Sequence, residues 1–353
     1  MAKVLMKGNE AIAEAAIQAG CRFFFGYPIT PQNQIPEYMS RRMPEVGGTF
    51  LQAESEISAI NMVYGAAGAG ARVMTSSSSP GISLKQEGIS YIACAELPCV
   101  IVNIVRSGPG LGGILPSQGD YFQSVKGGGH GDYRLIVYAP SSVQEAADCV
   151  MEAFETSDYY RVPALIVGDG MIGQMMEPVE FKQPKKRDLP AKSWAATGYD
   201  GTRPRAVVNS LYIEADEMCA VSARLQSVYR QIEQNETQYD TFMMDDAEIC
   251  IVAYGTTSRI VRNAITKARS EYGIKAGLIR PITIWPYPSQ AIADAAKTCK
   301  AFLSVEMSTG QMVEDVRLAV NGARPVSFFG TTGGIIPTPK QVIEKLIEIK
   351  EGL

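Results

Sequence analysis

Gly26-Tyr27-Pro28-Ile29-Thr30-Pro31, preceded by Arg22-Phe23-Phe24-Phe25 and followed by Gln32-Asn33-Gln34-Ile35, reads as a strand that ends in a stiff loop. Each proline fixes its own φ and drives the residue before it, Tyr27 or Thr30, out of the α region, so the loop is ordered before anything binds. Thr30 suits an N-cap and Pro31 the first helical position, which predicts a helix opening there. A strand-to-helix turn at the carboxyl end of a parallel strand is where open α/β sheets hold ligands. Taken alone, the same residues also describe a well-formed turn with no ligand.

Working outward, short apolar runs recur at Phe23–Phe25, Arg72–Thr75, Val100–Val105, Leu135–Tyr138 and Ala164–Val167, with helix-length segments between them. That rhythm is βαβ and predicts a parallel sheet. Helix entries are marked by Ser55 before 56–67, Pro80-Gly81 before 82–95 and Pro140-Ser141-Ser142 before 143–154. From Gly173 to Asp246 the pattern weakens into polar sequence bearing proline and glycine, with one helical stretch at 215–234. A second series then follows, with strands at 249–253, 276–279, 301–305 and 326–329 and helices near 258–272, 289–298, 310–321 and 338–349. The expected architecture is α/β: two doubly wound parallel-sheet domains at 1–172 and 247–353, joined by a connector at 173–246.

With 353 residues, 46% of them apolar and 20% charged, the chain can bury a large core. A formal charge of −4 argues against a nucleic-acid surface, and the one basic block, Lys185-Lys186-Arg187, reads as a solvated linker. Neither a signal peptide nor a membrane-length apolar run is present, so a cytoplasmic location without membrane attachment is expected. Seven scattered cysteines, never spaced C-x-x-C, signal neither a disulfide framework nor a zinc or iron–sulfur site, and most are expected in the core. The single histidine, His130, leaves little room for a Ser-His-Asp triad or a multi-histidine metal site.

Gly108-Pro109-Gly110-Leu111-Gly112-Gly113 satisfies G-x-G-x-x-G after a strand, but no helical period follows, so a flexible active-site loop is expected rather than a dinucleotide site. Gly168-Asp169-Gly170 opens like a diphosphate-bridging magnesium motif, yet lacks the downstream asparagines and reads as a strand-end turn. Gly330-Thr331-Thr332-Gly333-Gly334 offers only a weak anion nest. Glu56 falls in the first turn of a helix otherwise almost wholly small or apolar, while Glu54 is expected to face solvent. A buried carboxylate there needs a partner; a macrodipole or capping contact would also account for it. Arg106 ends the strand 100–105 at the sheet's carboxyl edge, where it could hold a carboxylate bidentately or form an ordinary ion pair. The run Thr75-Ser76-Ser77-Ser78-Ser79-Pro80-Gly81 brings hydroxyls to the same edge, or only a helix entry.

Together, Gly26 to Pro31, Glu54-Ser55-Glu56-Ile57, the Thr75 to Gly81 turn and Val105-Arg106-Ser107-Gly108 resemble the α subunit of 2-oxoacid:ferredoxin oxidoreductases. The resemblance runs over nearly the whole chain, through Gly173-Gln174-Met175-Met176-Glu177-Pro178 and a second domain similar to the transketolase C-terminal domain. It implies that the first domain binds the aminopyrimidine half of thiamine diphosphate through Tyr27, Pro28, Ile29, Glu56, Ser77 and Ser78. Glu56, aligned through Val63-Tyr64-Gly65-Ala66, would bond the pyrimidine nitrogen N1′. Thr30 would face the substrate carboxylate or the cofactor, and Arg106 would neutralise the 2-oxoacid. The diphosphate and Mg²⁺ would be held by a partner β subunit, and the iron–sulfur clusters by further subunits including a ferredoxin-like one; no metal site is expected in this chain. The implied reaction is oxidative decarboxylation of a 2-oxoacid to acyl-coenzyme A and CO₂ with reduction of ferredoxin. The branched-chain member acting on 2-oxoisovalerate (3-methyl-2-oxobutanoate) is favoured, with the 2-oxoglutarate enzyme as alternative. Two other expectations stand beside it: a non-catalytic scaffold of the same fold, and a nicotinamide dehydrogenase using the Gly108 to Gly113 loop.

Overall fold

The computed structural model describes residues 3–182 and 187–353, so Lys185 and Lys186 of the basic block lie outside the described residues. In chain order the strands are β1 Val4–Lys7, β2 Phe23–Gly26, β3 Thr49–Gln52, β4 Val73–Ser77, β5 Val100–Val105, β6 Ile136–Tyr138, β7 Ala164–Asp169, β8 Met176–Val179, β9 Tyr239–Phe242, β10 Ile249–Val252, β11 Ala276–Pro281, β12 Thr283–Trp285, β13 Ala301–Glu306 and β14 Val326–Gly330. The helices are α1 Gly8–Gln18, α2 Gln34–Glu45, α3 Glu56–Gly68, α4 Ser79–Cys94, α5 Val143–Tyr160, α6 Gly170–Gln174, α7 Ala215–Asn235, α8 Gly255–Tyr272, α9 Ser289–Thr298, α10 Met312–Val320 and α11 Pro339–Glu351.

The first sheet has the order β12-β6-β7-β5-β4-β2-β3 and the second β14-β13-β10-β11-β9, while β1 and β8 form a separate ribbon. β4, β5, β6 and β7 are buried along their whole length, as strands covered by helices on both faces must be. The chain runs outward from β2 to β3 and then returns to β4 on the other side of β2. That reversal opens a crevice at the carboxyl ends of β2 and β4, the place where open α/β sheets bind ligands.

The main strands of both sheets run parallel, as expected, and each sheet carries an addition at one edge. β12 adds antiparallel to β6, and β9 antiparallel to β11, so each sheet has one reversed edge strand. These edge strands are short, and the half-exposed β9 has no apolar run to announce it. Nor does residues 173–246 hold only a helix: β8 pairs with β1 and β9 enters the second sheet. Arg187 is no solvated linker residue, because its guanidinium grips the buried Glu236 through two bonds of 2.6 and 2.7 Å.

The helix expected to open at Thr30 begins instead at Gln34. An N-cap carbonyl must be free to accept the first intrahelical bond. Here Arg106 Nη1 donates to the Thr30 carbonyl at 3.0 Å, and the side-chain amides of Asn9 and Gln174 donate to the Pro31 carbonyl at 2.9 and 3.1 Å. α4 starts earlier than expected, at Ser79, with Pro80 and Gly81 inside its first turn, where proline is tolerated. α5 runs on to Tyr160 and ends at Arg161 in the left-handed region.

The two sheets are tied together at their carboxyl edges. Gln118 donates to the Tyr254 carbonyl at 2.9 Å, exchanges a backbone bond of 2.8 Å with Met307 and accepts from the Met307 N–H at 2.9 Å. Arg280 of β11 grips Glu145 of α5 through bonds of 2.8 and 2.9 Å.

Candidate active site

Ser55 caps α3 by accepting from the Ser58 N–H at 3.2 Å, so Glu56 is not needed for capping. Glu56 is 6% exposed, and its carboxylate makes no hydrogen bond among the described residues, whereas Glu54 is exposed as expected. The carboxylate faces the first turn of α4. A Cβ on Gly81 would collide with Ser77 Oγ and stand 2.6 Å from Glu56 Oε1, so only glycine lets these groups come this close to α4. One register further along, a Cβ on Gly88 would lie 2.6 Å from Ile60, so two glycines on one face let α3 and α4 approach closely.

The hydroxyls expected at this edge divide into two sets. Ser76 Oγ donates to Gln32 Oε1 at 2.6 Å, and Ser79 Oγ is bonded to the backbone of Arg106, so both hold the scaffold. Ser77 Oγ and Ser78 Oγ are buried without any hydrogen-bond partner. Unpaired buried hydroxyls are costly, and Ser77 Oγ stands with the equally unpaired Glu56 Oε1 around the position a Gly81 side chain would take. The set suits a flat polar ring bearing nitrogen donors and acceptors, such as an aminopyrimidine.

Arg106 is 7% exposed and forms no ion pair among the described residues. Its Nη atoms donate to the Thr30 and Leu111 carbonyls at 3.0 and 2.9 Å, while Nε is buried without a partner. The guanidinium therefore staples the loop after β2 to the glycine loop and keeps its charge uncompensated. Tyr27 and Ile29 are half-buried, and Pro28 and Thr30 exposed. Thr30 borders a groove of about 560 Å³ whose walls include Ile114, Leu115, Met171, Met175 and Ile336; no lysine or arginine is among its lining residues.

The glycine loop is not followed by a helix. It closes on itself through the Gly113 N–H to Ser107 carbonyl bond of 2.8 Å and the Ser107 N–H to Leu115 carbonyl bond of 3.0 Å. Asp169 caps α6, accepting from the Met171 and Ile172 N–H groups at 2.9 and 3.1 Å, which makes 168–170 a strand end. In the Gly330 to Gly334 turn, a Cβ on Gly334 would run into the Leu115 side chain, so this turn packs on the glycine loop. His130 packs edge-on against Tyr91, near the far end of α4 from Glu56. Five of the seven cysteines are buried and all are free. Among the described residues no cluster of three or more His, Cys, Asp and Glu could hold a metal, and no helix is long and apolar enough to cross a membrane.

One residue of this cluster escaped the sequence reading. Lys85 is fully buried in α4, with its ammonium 3.1 Å from Thr75 Oγ1. Its signal was the periodicity: Lys85 shares the stripe of Ile82, Ile89 and Ile92, a core register in which a lysine is out of place.

Comparison with known proteins accords with this geometry. Residues 14–242 match the family described as pyruvate flavodoxin/ferredoxin oxidoreductase, thiamine diphosphate-binding, and residues 247–342 match pyruvate:ferredoxin oxidoreductase core domain II. Ketoisovalerate oxidoreductase subunit VorB of Methanothermobacter thermautotrophicus is 52% identical over 349 residues, covering 99% of this chain and 98% of the relative. 2-Oxoglutarate synthase subunit KorA of Methanothermobacter marburgensis is 36% identical, covering 98% of each. Among solved structures, 2-oxoglutarate:ferredoxin oxidoreductase from Magnetococcus marinus with 2-oxoglutarate, coenzyme A and succinyl-CoA bound superposes with a TM-score of 0.86 at 23% identity. It shares the fold over 98% of this chain, which spans 65% of that longer one. A split-gene transketolase shares the fold more distantly, with a TM-score of 0.58 at 12% identity, covering 97% of each chain. Two α/β domains in this order, one of them a thiamine diphosphate-binding domain, make this chain an α subunit of the 2-oxoacid:ferredoxin oxidoreductase family.

Proposed function

We propose that this subunit provides the aminopyrimidine pocket of a thiamine diphosphate enzyme that oxidatively decarboxylates 2-oxoisovalerate, with coenzyme A as acyl acceptor and ferredoxin as electron acceptor. The observation that carries the reading is the unpaired, buried Glu56 carboxylate, which meets the unpaired hydroxyl of Ser77 at Gly81, where a side chain would clash with both, and the unpaired hydroxyl of Ser78 next to it in the chain. When bound, thiamine diphosphate supplies the carbon nucleophile and the electron sink that a 2-oxoacid needs to lose CO₂. Glu56 would hold the pyrimidine nitrogen N1′ through a fixed hydrogen bond in a site from which water is excluded, where such a bond has most effect on proton affinity. Tyr27, Pro28 and Ile29 would wall the ring, with Ser77 and Ser78 meeting its polar edge. Arg106 would orient the substrate carboxylate by its uncompensated charge, and Thr30 stands beside it on the same loop. The diphosphate and Mg²⁺ would be held by a partner β subunit and the iron–sulfur clusters by further partners; among the described residues no cluster of side chains could hold a metal. A cytoplasmic location accords with ferredoxin chemistry.

The branched acid is favoured by the higher identity to ketoisovalerate oxidoreductase subunits, 50 and 52%, than to 2-oxoglutarate synthase subunits, 34 to 36%. A groove without lysine or arginine suits an aliphatic acid better than a dicarboxylate. The test is anaerobic, coenzyme A-dependent reduction of a viologen dye by the native complex, with each acid at equal concentration. Faster reduction with 2-oxoisovalerate is expected. Preference for 2-oxoglutarate would keep the chemistry and change the substrate, and no reduction with either would sink the catalytic reading.

A further inference from the structure

The face of α4 that meets Glu56 carries a buried ion with no part in the chemistry assigned so far. Lys85 lies one turn beyond Gly81 on the same side of the helix and is 0% exposed. Its ammonium donates to Thr75 Oγ1 at 3.1 Å and reaches the Glu56 carbonyl at 3.5 Å. Both acceptors are neutral, and a buried ammonium with only neutral partners tends to give up its proton. Burial indeed pushes Lys85 down to about 8, and the single charge that works against this loss is the Glu56 carboxylate. Packing alone does not call for a lysine, since isoleucine fills the neighbouring stripe positions 82, 89 and 92.

Few other ionisable groups stand near this pair of residues. β2 and β4 contribute no ionisable side chain. On α3 the other ionisable group is Tyr64, two turns beyond Glu56, and on α4 Glu87 is exposed and bonded to Tyr91. Arg106 is engaged with the loop carbonyls, and Asp120 accepts from Asn103 behind the start of α4.

We propose that Lys85 is a positioning residue for Glu56: its ammonium, held between the Glu56 carbonyl and the Thr75 hydroxyl, pins the first turn of α3 against β4 and so fixes where the Glu56 side chain is presented. The inference rests on the reading of Glu56 as the carboxylate that meets the pyrimidine.

The experiment uses the purified complex, unsubstituted and carrying Lys85→Met, Lys85→Gln or Thr75→Val. Thiamine diphosphate binding is followed by calorimetry across pH in the absence of substrate, and kcat/KM across pH by dye reduction. In the unsubstituted complex both quantities should decline above about pH 8, as Lys85 loses its proton. In both Lys85 variants that alkaline decline should vanish, and kcat/KM below about pH 8 should already stand at the lower level that the unsubstituted complex reaches above it. Thr75→Val removes one of the two acceptors but leaves the ammonium, and should lower kcat/KM while keeping the alkaline decline. Lys85→Gln retains a donor to Thr75 and serves where Lys85→Met does not assemble. An alkaline decline unchanged in the Lys85 variants, or absent from the unsubstituted complex, would make Lys85 a packing residue. Glu56→Gln separates the two readings: full activity there sinks the role of Glu56, whereas loss of activity there with an unchanged alkaline decline in the Lys85 variants sinks only this inference.

Discussion

Glu56→Gln should leave the complex assembled and lower 2-oxoacid-dependent dye reduction by about 10²- to 10⁴-fold, the range over which a positioned acid or base group contributes. The amide has nearly the shape of the carboxylate, and Ser55 rather than Glu56 caps α3, so the helix keeps its start. Gly81 leaves room for either group. What changes is the charge at the crevice between β2 and β4 and with it the proton affinity of the group presented there. Size-exclusion chromatography and thiamine diphosphate content of the purified complex test assembly separately from turnover. An assembled, cofactor-loaded complex of undiminished activity would remove Glu56 from the chemistry and return the chain to the role of a scaffold.

The parts of this site that were legible in the sequence are those that local chemistry fixes. Three phenylalanines followed by two spaced prolines define β2 and its stiff loop, and a serine before a small, apolar helix defines the start of α3. Strands such as β6 and β10 announce themselves as unbroken apolar runs, whereas β9 and β12 do not, since they are short edge strands whose pairing comes from the tertiary arrangement. Long-range bonds explain the remaining differences. Nothing near Thr30 reveals that Arg106, 76 residues later, takes its carbonyl and delays α2 to Gln34. Arg187 likewise reads as part of a basic linker until its partner Glu236, 49 residues on, is seen. Lys85 is the instructive case, because its charge suggests a surface while its helical register demands the core. A polar residue in a core register deserves a search for its partner before it is assigned to solvent.

Glu306→Ala is expected to destabilise the second domain by about 3–5 kcal/mol, the largest effect on stability among these substitutions. The side chain, at the end of β13, is 0% exposed. Its Oε1 accepts from Ser304 Oγ and the Val313 N–H, both at 2.9 Å. Its Oε2 accepts from Ser308 Oγ and the Met312 N–H at 2.9 Å and from the Gln311 N–H at 3.0 Å. Three of these donors are the backbone groups that the first turn of α10 leaves without intrahelical acceptors, and the anion sits at the positive end of the helix dipole. Alanine would strand all five donors in a buried place. Glu306→Gln keeps one oxygen but turns an amide toward the remaining donors, so an intermediate loss is expected. The damage should reach the catalytic crevice, because the backbone of Met307 anchors Gln118, which follows the glycine loop that Arg106 holds. Calorimetric unfolding of the complex, paired with dye reduction below the transition, measures both effects. A Glu306→Ala complex that melts with the unsubstituted one would show that the five bonds contribute little net stability, and activity retained after the second domain loosens would uncouple that domain from the crevice.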